Sequence, residues 1–195
     1  MKRFLFVLAA MSLLFTACED DGFGKLTEVD DVCTMMDDLE LMEYCYEKFD
    51  VNKDGKVSMS EAAAVYSIDT YDYIRSIKGI EYFPNLEILD IEVPSSFTDC
   101  NLMNNKKLKS ISIVNYYSKI NISDLNFSKL TNLSFICLYN IAIKDLNLSN
   151  GNDIELKLWW DCDSTPPACT IWLKSGQKLK SSIDKKYNCN IEYID

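Results

Sequence analysis

No histidine occurs anywhere in the 195 residues. Every mechanism that rests on an imidazole is thereby excluded: Ser-His and Cys-His nucleophiles, HExxH zinc sites and histidine pH switches. Positive charge is also scarce, with 20 Lys and Arg against 30 Asp and Glu and a formal charge of −10. That balance argues against nucleic-acid backbones as partners, because phosphate binding wants a basic face. Phosphate loops, nucleophile elbows and dinucleotide fingerprints are missing as well. Adjacent carboxylates such as Asp30-Asp31 and Asp37-Asp38 read as solvated helix faces, since nothing marks them as an acid and a base with separated pKa values. The eight cysteines lack the CxxC spacing of a four-thiolate zinc site. What remains, 48% apolar and 26% charged, describes a globular chain with room for one domain, or a small module plus one domain. No enzyme is expected.

Residues 1–17 read as a signal segment, not as part of the fold. Met1-Lys2-Arg3 is basic and Phe4 to Phe15 is apolar, but too short to cross a bilayer, which takes about 20 residues. Phe15-Thr16-Ala17 before Cys18 resembles a bacterial lipobox, with Phe15 where Leu is usual. The resemblance implies that Cys18 becomes the acylated N-terminus, so the membrane is reached through the N-terminal lipid only. Glu19-Asp20-Asp21 directly behind it resembles the export signal of Bacteroidota-type lipoproteins, which implies an outer-membrane protein facing the cell surface; the other reading is a periplasm-facing anchor. An acidic tether is expected over 18–30.

From Val32, apolar residues at Met35, Met36, Leu39, Met42, Tyr46 and Phe49 form one stripe of an amphipathic helix. It runs into Asp50-Val51-Asn52-Lys53-Asp54-Gly55-Lys56-Val57-Ser58-Met59-Ser60-Glu61, the spacing of an EF-hand loop. A calcium ion needs a cage of hard oxygens at fixed offsets. Asp50, Asn52 and Asp54 stand at positions 1, 3 and 5, and Gly55 makes the sharp turn. The Lys56 carbonyl, Ser58 and Glu61 follow at 7, 9 and 12. One Ca²⁺ is the expected cofactor, structural rather than regulatory because a single loop is visible; the other reading is a surface turn without metal. Ser58 with Glu61 is also a capping box for the next helix. The EF-hand cap is assigned to 31–67.

Past Tyr66 the chain turns to short strand-like pieces that repeat. Leu86-x-x-Leu89-x-Ile91, Leu108-x-x-Ile111-x-Ile113 and Leu133-x-x-Ile136-x-Leu138 recur at offsets of 22 and 25, and Ile122 to Ser128 matches Ile143 to Ser149 at 21. Periods in the twenties with this leucine signature predict a short α/β leucine-rich-repeat solenoid over 68–158. One strand per turn would stack into a single parallel sheet, followed by a C-terminal cap over 159–195.

The order lipobox, acidic tether, Phe49 to Ala62, then Gly79 to Asp90 and the repeats through Leu158 resembles the EF-hand plus leucine-rich-repeat lipoproteins of Bacteroidota. The resemblance implies a surface interaction protein and no chemistry; the chain departs from it after Gly151. On the concave sheet face the residues between the inward leucines point out: Ile88, Asp90, Ser110, Ser112, Phe135, Cys137 and Tyr139, continued by Lys157, Trp159 and Trp172. Phe135, Tyr139, Trp159 and Trp172 would form an aromatic ladder flanked by Lys157 and Lys174, either a binding platform for a protein or a glycan or core beneath the C-terminal cap. The alternatives are an accessory glycan-capture subunit of a surface enzyme complex and a purely structural envelope lipoprotein. Cys162 and Cys169 flank a short loop that a disulfide could close. Cys33 and Cys45, 12 apart on one helix, would be about 18 Å apart at 1.5 Å per residue and unable to pair. Asp163-Ser164-Thr165 resembles the short O-glycosylation motif of Bacteroidota.

Overall fold

Aspartates decide how the first described segment folds. In a computed structural model describing residues 26–195, Asp31 caps a 3₁₀ turn at Val32–Met35, and extended Met36 ends it (φ −83, ψ 150). Asp38 then caps α1 (Leu39–Phe49), so the single expected helix is two pieces. Short carboxylates compete for nearby N–H groups in this way and start new helices instead of continuing old ones. Both side chains also reach out of their own turns. Asp31 accepts from Val57 N at 3.1 Å and from the Tyr46 hydroxyl at 2.7 Å; Asp38 accepts from Leu41 N and Arg75 N, each at 2.9 Å. Asp31 thus ties the turn to α1 and to Val57, and Asp38 ties the start of α1 to Arg75; of the two acidic pairs expected to be solvated, only Asp30 and Asp37 are exposed. The break also folds Cys33 back onto α1, where its thiol lies beside that of Cys45; the 18 Å separation of a continuous helix does not arise. α2 (Met59–Ala62) is one turn, opened by the Ser58–Glu61 capping box. The signal segment, Cys18 and the start of the tether lie outside the described residues.

The LxxLxL pieces become β2 (Ile88–Glu92), β3 (Ser110–Val114) and β5 (Phe135–Tyr139). Leu89, Ile111 and Ile136 stand in one register row, and Ile91, Ile113 and Leu138 in the next, at the offsets the repeats give. β1 (Ser67–Tyr73), β7 (Ile154–Trp159) and β9 (Leu179–Ile183) complete a six-stranded parallel sheet of order β1-β2-β3-β5-β7-β9.

A single sheet is not the whole solenoid. From Ile120 each turn adds a second strand: β4 (Ile120–Asn126), β6 (Ile141–Asn147), β8 (Cys169–Lys174) and β10 (Cys189–Ile194). These pair in parallel in the order β10-β8-β6-β4. The 21-residue repeat belongs to this second sheet, with Ile122 opposite Ile143 and Leu125 opposite Leu146. The core lies between the sheets, with Leu89, Ile111, Ile136 and Leu156 from one and Ile122, Ile143 and Ile171 from the other all buried. Each such side chain contributes about 1.5–3 kcal/mol of burial. The boundary expected at 158 interrupts neither sheet, since β8, β9 and β10 extend them. Among the described residues no helix is long and apolar enough to cross a membrane.

Asparagines turn the corners. Asn115 and Asn140, directly after β3 and β5, donate to the Val93 and Asn115 carbonyls at 2.6 and 2.8 Å. At another corner Asn85, Asn105, Asn132 and Asn150 donate to carbonyls of earlier turns. An amide side chain can satisfy a buried carbonyl on one turn and an N–H on another, which the aliphatic core cannot do.

Candidate functional site

Alternation along each strand sends one residue in and the next out. The outward face of the six-stranded sheet therefore carries three rows. Ile88, Ser110, Phe135 and Glu155 make the first; Asp90, Ser112, Cys137 and Lys157 the second; Glu92, Val114, Tyr139 and Trp159 the third. The structure thus brings together Phe135, Tyr139, Lys157 and Trp159, as their spacing predicts. Trp172 is not among them. It stands on β8 of the other sheet, where its indole N–H donates to Asp145 Oδ1 at 3.1 Å, and Lys174 goes with it. The chain crosses to the second sheet between β7 and β8, so a reading with one strand per turn assigns Trp172 to the wrong face.

The aromatic groups are also divided along the strands. Phe135 lies four residues from Tyr139, about 13 Å at strand rise. Lys157 Nζ sits 5.0 Å above the Phe135 ring centroid and 3.9 Å from Glu155, so that end is a self-contained cation–π contact. At the other end Tyr139 and Trp159 are joined by tyrosines that the repeat pattern does not place. Tyr116 meets Tyr139 with centroids 5.4 Å apart, and Tyr117 meets Tyr73 at 6.2 Å. The signal available was the Tyr116-Tyr117 pair just past β3 and Tyr71-x-Tyr73 ending β1, tyrosines at the same end of neighbouring strands.

Between Tyr71, Tyr116, Tyr139 and Trp159 opens a groove of about 400 Å³ with Asp90, Glu92 and Ser112 in its lining. Its walls are exposed, Trp159 at 45%, while Glu92 is only 7% exposed. Among the described residues Glu92 Oε1 has no hydrogen-bond partner. Burial and the carboxylates of Asp90 and Glu92 push the Tyr116 hydroxyl above its ordinary range. Burial likewise raises the Asp90 carboxyl, against a hydrogen bond from Ser112 that lowers it. The groove is a rigid, aromatic-walled cleft with negative charge within it.

The calcium-loop residues also come together. Asp50 accepts from Asp54 N at 3.1 Å and Gly55 N at 2.9 Å, and Asn52 Oδ1 accepts from Asp54 N at 2.8 Å. Asp54 Oδ1 accepts from Lys56 N at 3.0 Å. Glu61 folds over the loop, one oxygen accepting from Val51 N at 3.0 Å and the other from Ser58 N at 2.9 Å. Gly55 has the positive φ of +82 that its turn requires. The donor set is all oxygen and fits a hard cation, though among the described residues no group of three His, Cys, Asp or Glu stands arranged to hold a metal. The side-chain oxygens here accept mostly from backbone N–H groups, with Asp54 Oδ2 accepting from Asn52 Nδ2 and Glu61 Oε2 also from the Ser58 hydroxyl.

Cys169 faces Cys189 across β8 and β10, and the neighbouring thiol together with burial raises the pKa of Cys169. Parallel strands set residues of successive turns side by side, which is what brings Cys189 to Cys169. All seven described cysteines are free thiols.

No protein-family profile matches the sequence, and no curated protein matches it. Among solved structures the chain is similar to an internalin (inlF) from Listeria monocytogenes str. 4b F2365, at 15% identity and a TM-score of 0.36, covering 88% of this chain and 68% of that one. It is similar also to an internalin C2 (inlC2) from the same strain, at 13% identity and a TM-score of 0.33, covering 88% of this chain and all of that one.

Proposed function

We propose that the protein is a non-enzymatic recognition protein of the cell envelope that binds a partner protein on the outward face of its six-stranded sheet. The observation that carries the reading is the groove itself: three exposed aromatic side chains, Tyr71, Tyr116 and Trp159, with half-buried Tyr139, around a cleft of about 400 Å³ on a parallel sheet. Rigid aromatic anchors with a buried polar group are how protein hot spots are built. The lipid anchor at Cys18 and the acidic residues behind it support an outer-membrane, surface-facing address, with no nucleic acid among the partners.

The test is photo-crosslinking on intact cells. A photoreactive residue in place of Tyr139 should form an adduct with a partner protein, and one in place of Trp172 should not. Adducts from Trp172 alone would move the binding surface to the other sheet; an adduct with glycan instead of protein would favour glycan capture.

Calcium belongs to the same proposal as a structural ion. Asp50, Asn52, Asp54, Ser58, Glu61 and the Lys56 carbonyl would hold it, bracing α1 and α2 over the first strand. At a free Ca²⁺ concentration one hundred times the dissociation constant, binding adds about 2.7 kcal/mol. Thermal unfolding should therefore rise by several degrees on adding Ca²⁺ and return with chelator. An unfolding temperature indifferent to both would remove the metal from the account.

A further inference from the structure

We infer that the groove takes a cationic side chain, a lysine or arginine presented by a basic segment of the partner protein, with Glu92 as its counter-ion. This deepens the reading of the sheet face as a binding surface and rests on it.

Glu92 ends β2 and faces Tyr73 on one side and Val114 on the other, so its own sheet gives it no cation. It is buried, and Oε1 is left without a partner. The Tyr73 hydroxyl lies beside the same carboxylate, and Oε1 stays unpaired among the described residues. An unpaired carboxylate oxygen in a desolvated site is costly, and a charge-assisted hydrogen bond from a ligand removes that cost. Asp90 lines the groove two residues earlier on the same strand, and no Lys or Arg lines it. The walls are the electron-rich rings of Tyr71, Tyr116, Tyr139 and Trp159, which attract a cation at their faces. One ligand satisfies both features together: a long aliphatic stem that packs among the rings with a positive head on the acid. A neutral sugar would stack on the rings but has no charge to set against Glu92 and Asp90. The excess of carboxylates over the whole chain adds a field that steers a basic segment inward.

The experiment is a titration of the lipidated protein in detergent with an oligolysine peptide, an oligoserine peptide of the same length and a soluble neutral glucan. Oligolysine should bind and oligoserine should not. Glu92→Gln keeps shape and removes charge, and should weaken oligolysine at least about tenfold. Glu43→Gln removes the same charge from the exposed side of α1 and should change it less than about twofold. If Glu92→Gln fails to fold, Asp90→Asn should weaken binding in the same direction. Equal losses from Glu92→Gln and Glu43→Gln would mean diffuse attraction and overturn the inference. Binding of glucan alone, abolished by Trp159→Ala, would overturn the cation while leaving the face as the binding surface. If neither these probes nor crosslinked partners respond to Trp159→Ala, inference and surface fall together.

Discussion

Asn140→Ala should lower stability by about 3 kcal/mol or more, one of the largest effects open to a single polar substitution here. Asn140 is 1% exposed and its side chain bonds in both directions. Nδ2 donates to the Asn115 carbonyl at 2.8 Å, and Oδ1 accepts from Asp161 N at 2.7 Å. Removing the amide leaves both groups without that partner, at about 1–3 kcal/mol each. Asn140 also has φ +58, a left-handed conformation that Asn tolerates and that costs Ala about 1–2 kcal/mol. At about 2–4 °C per kcal/mol for a chain of this size, calorimetry should show the unfolding temperature fall by roughly 10 °C. Asn140→Gly loses the same hydrogen bonds but relaxes the backbone, so it should fall between wild type and Asn140→Ala. Equal stability of all three would show that the corner asparagines do not hold the turns together. The corner also bears on the groove, because Tyr139 precedes it and its hydroxyl lies 3.4 Å from Asp161 Oδ2.

Gly79→Ala should be comparably severe, and local. Gly79 has φ +94, and a Cβ there would sit 2.6 Å from Met36 Cγ and 3.2 and 3.3 Å from Met36 N and Cα. The Met side chain can swing away, but the backbone contacts require the N-terminal segment to move off the first repeat. The left-handed backbone and the overpacking together cost about 2–5 kcal/mol. Hydrogen exchange should therefore quicken in the 3₁₀ turn and α1 before it does in β5. Met36→Ala in the same chain should recover part of the loss, a coupling that a double-mutant cycle measures. Uniform quickening across the solenoid would mean that the N-terminal segment and the repeats unfold as one unit.

The first sheet could be read from sequence because its inward leucines recur with little variation: Leu89, Ile111 and Ile136 are aligned by pattern alone. The second sheet was present in the same letters, as the match of Ile122-x-x-Leu125 to Ile143-x-x-Leu146. Its period of 21 so nearly equals the 22 and 25 of the first that nothing in the spacing separates two interleaved sheets. That merging explains why spacing alone sets Trp172 beside Trp159, although it stands on the other sheet. The helical stripe from Val32 to Phe49 holds only in part, since Leu39 is 69% exposed and the buried residues of α1 are Leu41 and Cys45; nothing in the letters marks where the axis turns, and Asp38, the residue that turns it, looks like any surface acid. Tyr71 and Tyr116 escaped because they belong to no repeat, and Glu92 because its turn carries an acid where later turns carry Val114 and Tyr139. Their meaning comes from adjacency across strands, which only the register supplies.

Three tryptophans report on three separate places: Trp159 at the groove, Trp172 on the opposite sheet and Trp160 in the core at 3% exposure. The most direct measurement is the NMR spectrum of the three indole N–H groups while oligolysine is added to the protein. The Trp159 signal should move and saturate with the peptide while Trp172 and Trp160 stay in place, and in Glu92→Gln the Trp159 shift should need at least about ten times more peptide. Movement of Trp172 with Trp159 unchanged would contradict the account, because the surface that binds would then be the sheet with no groove of this kind.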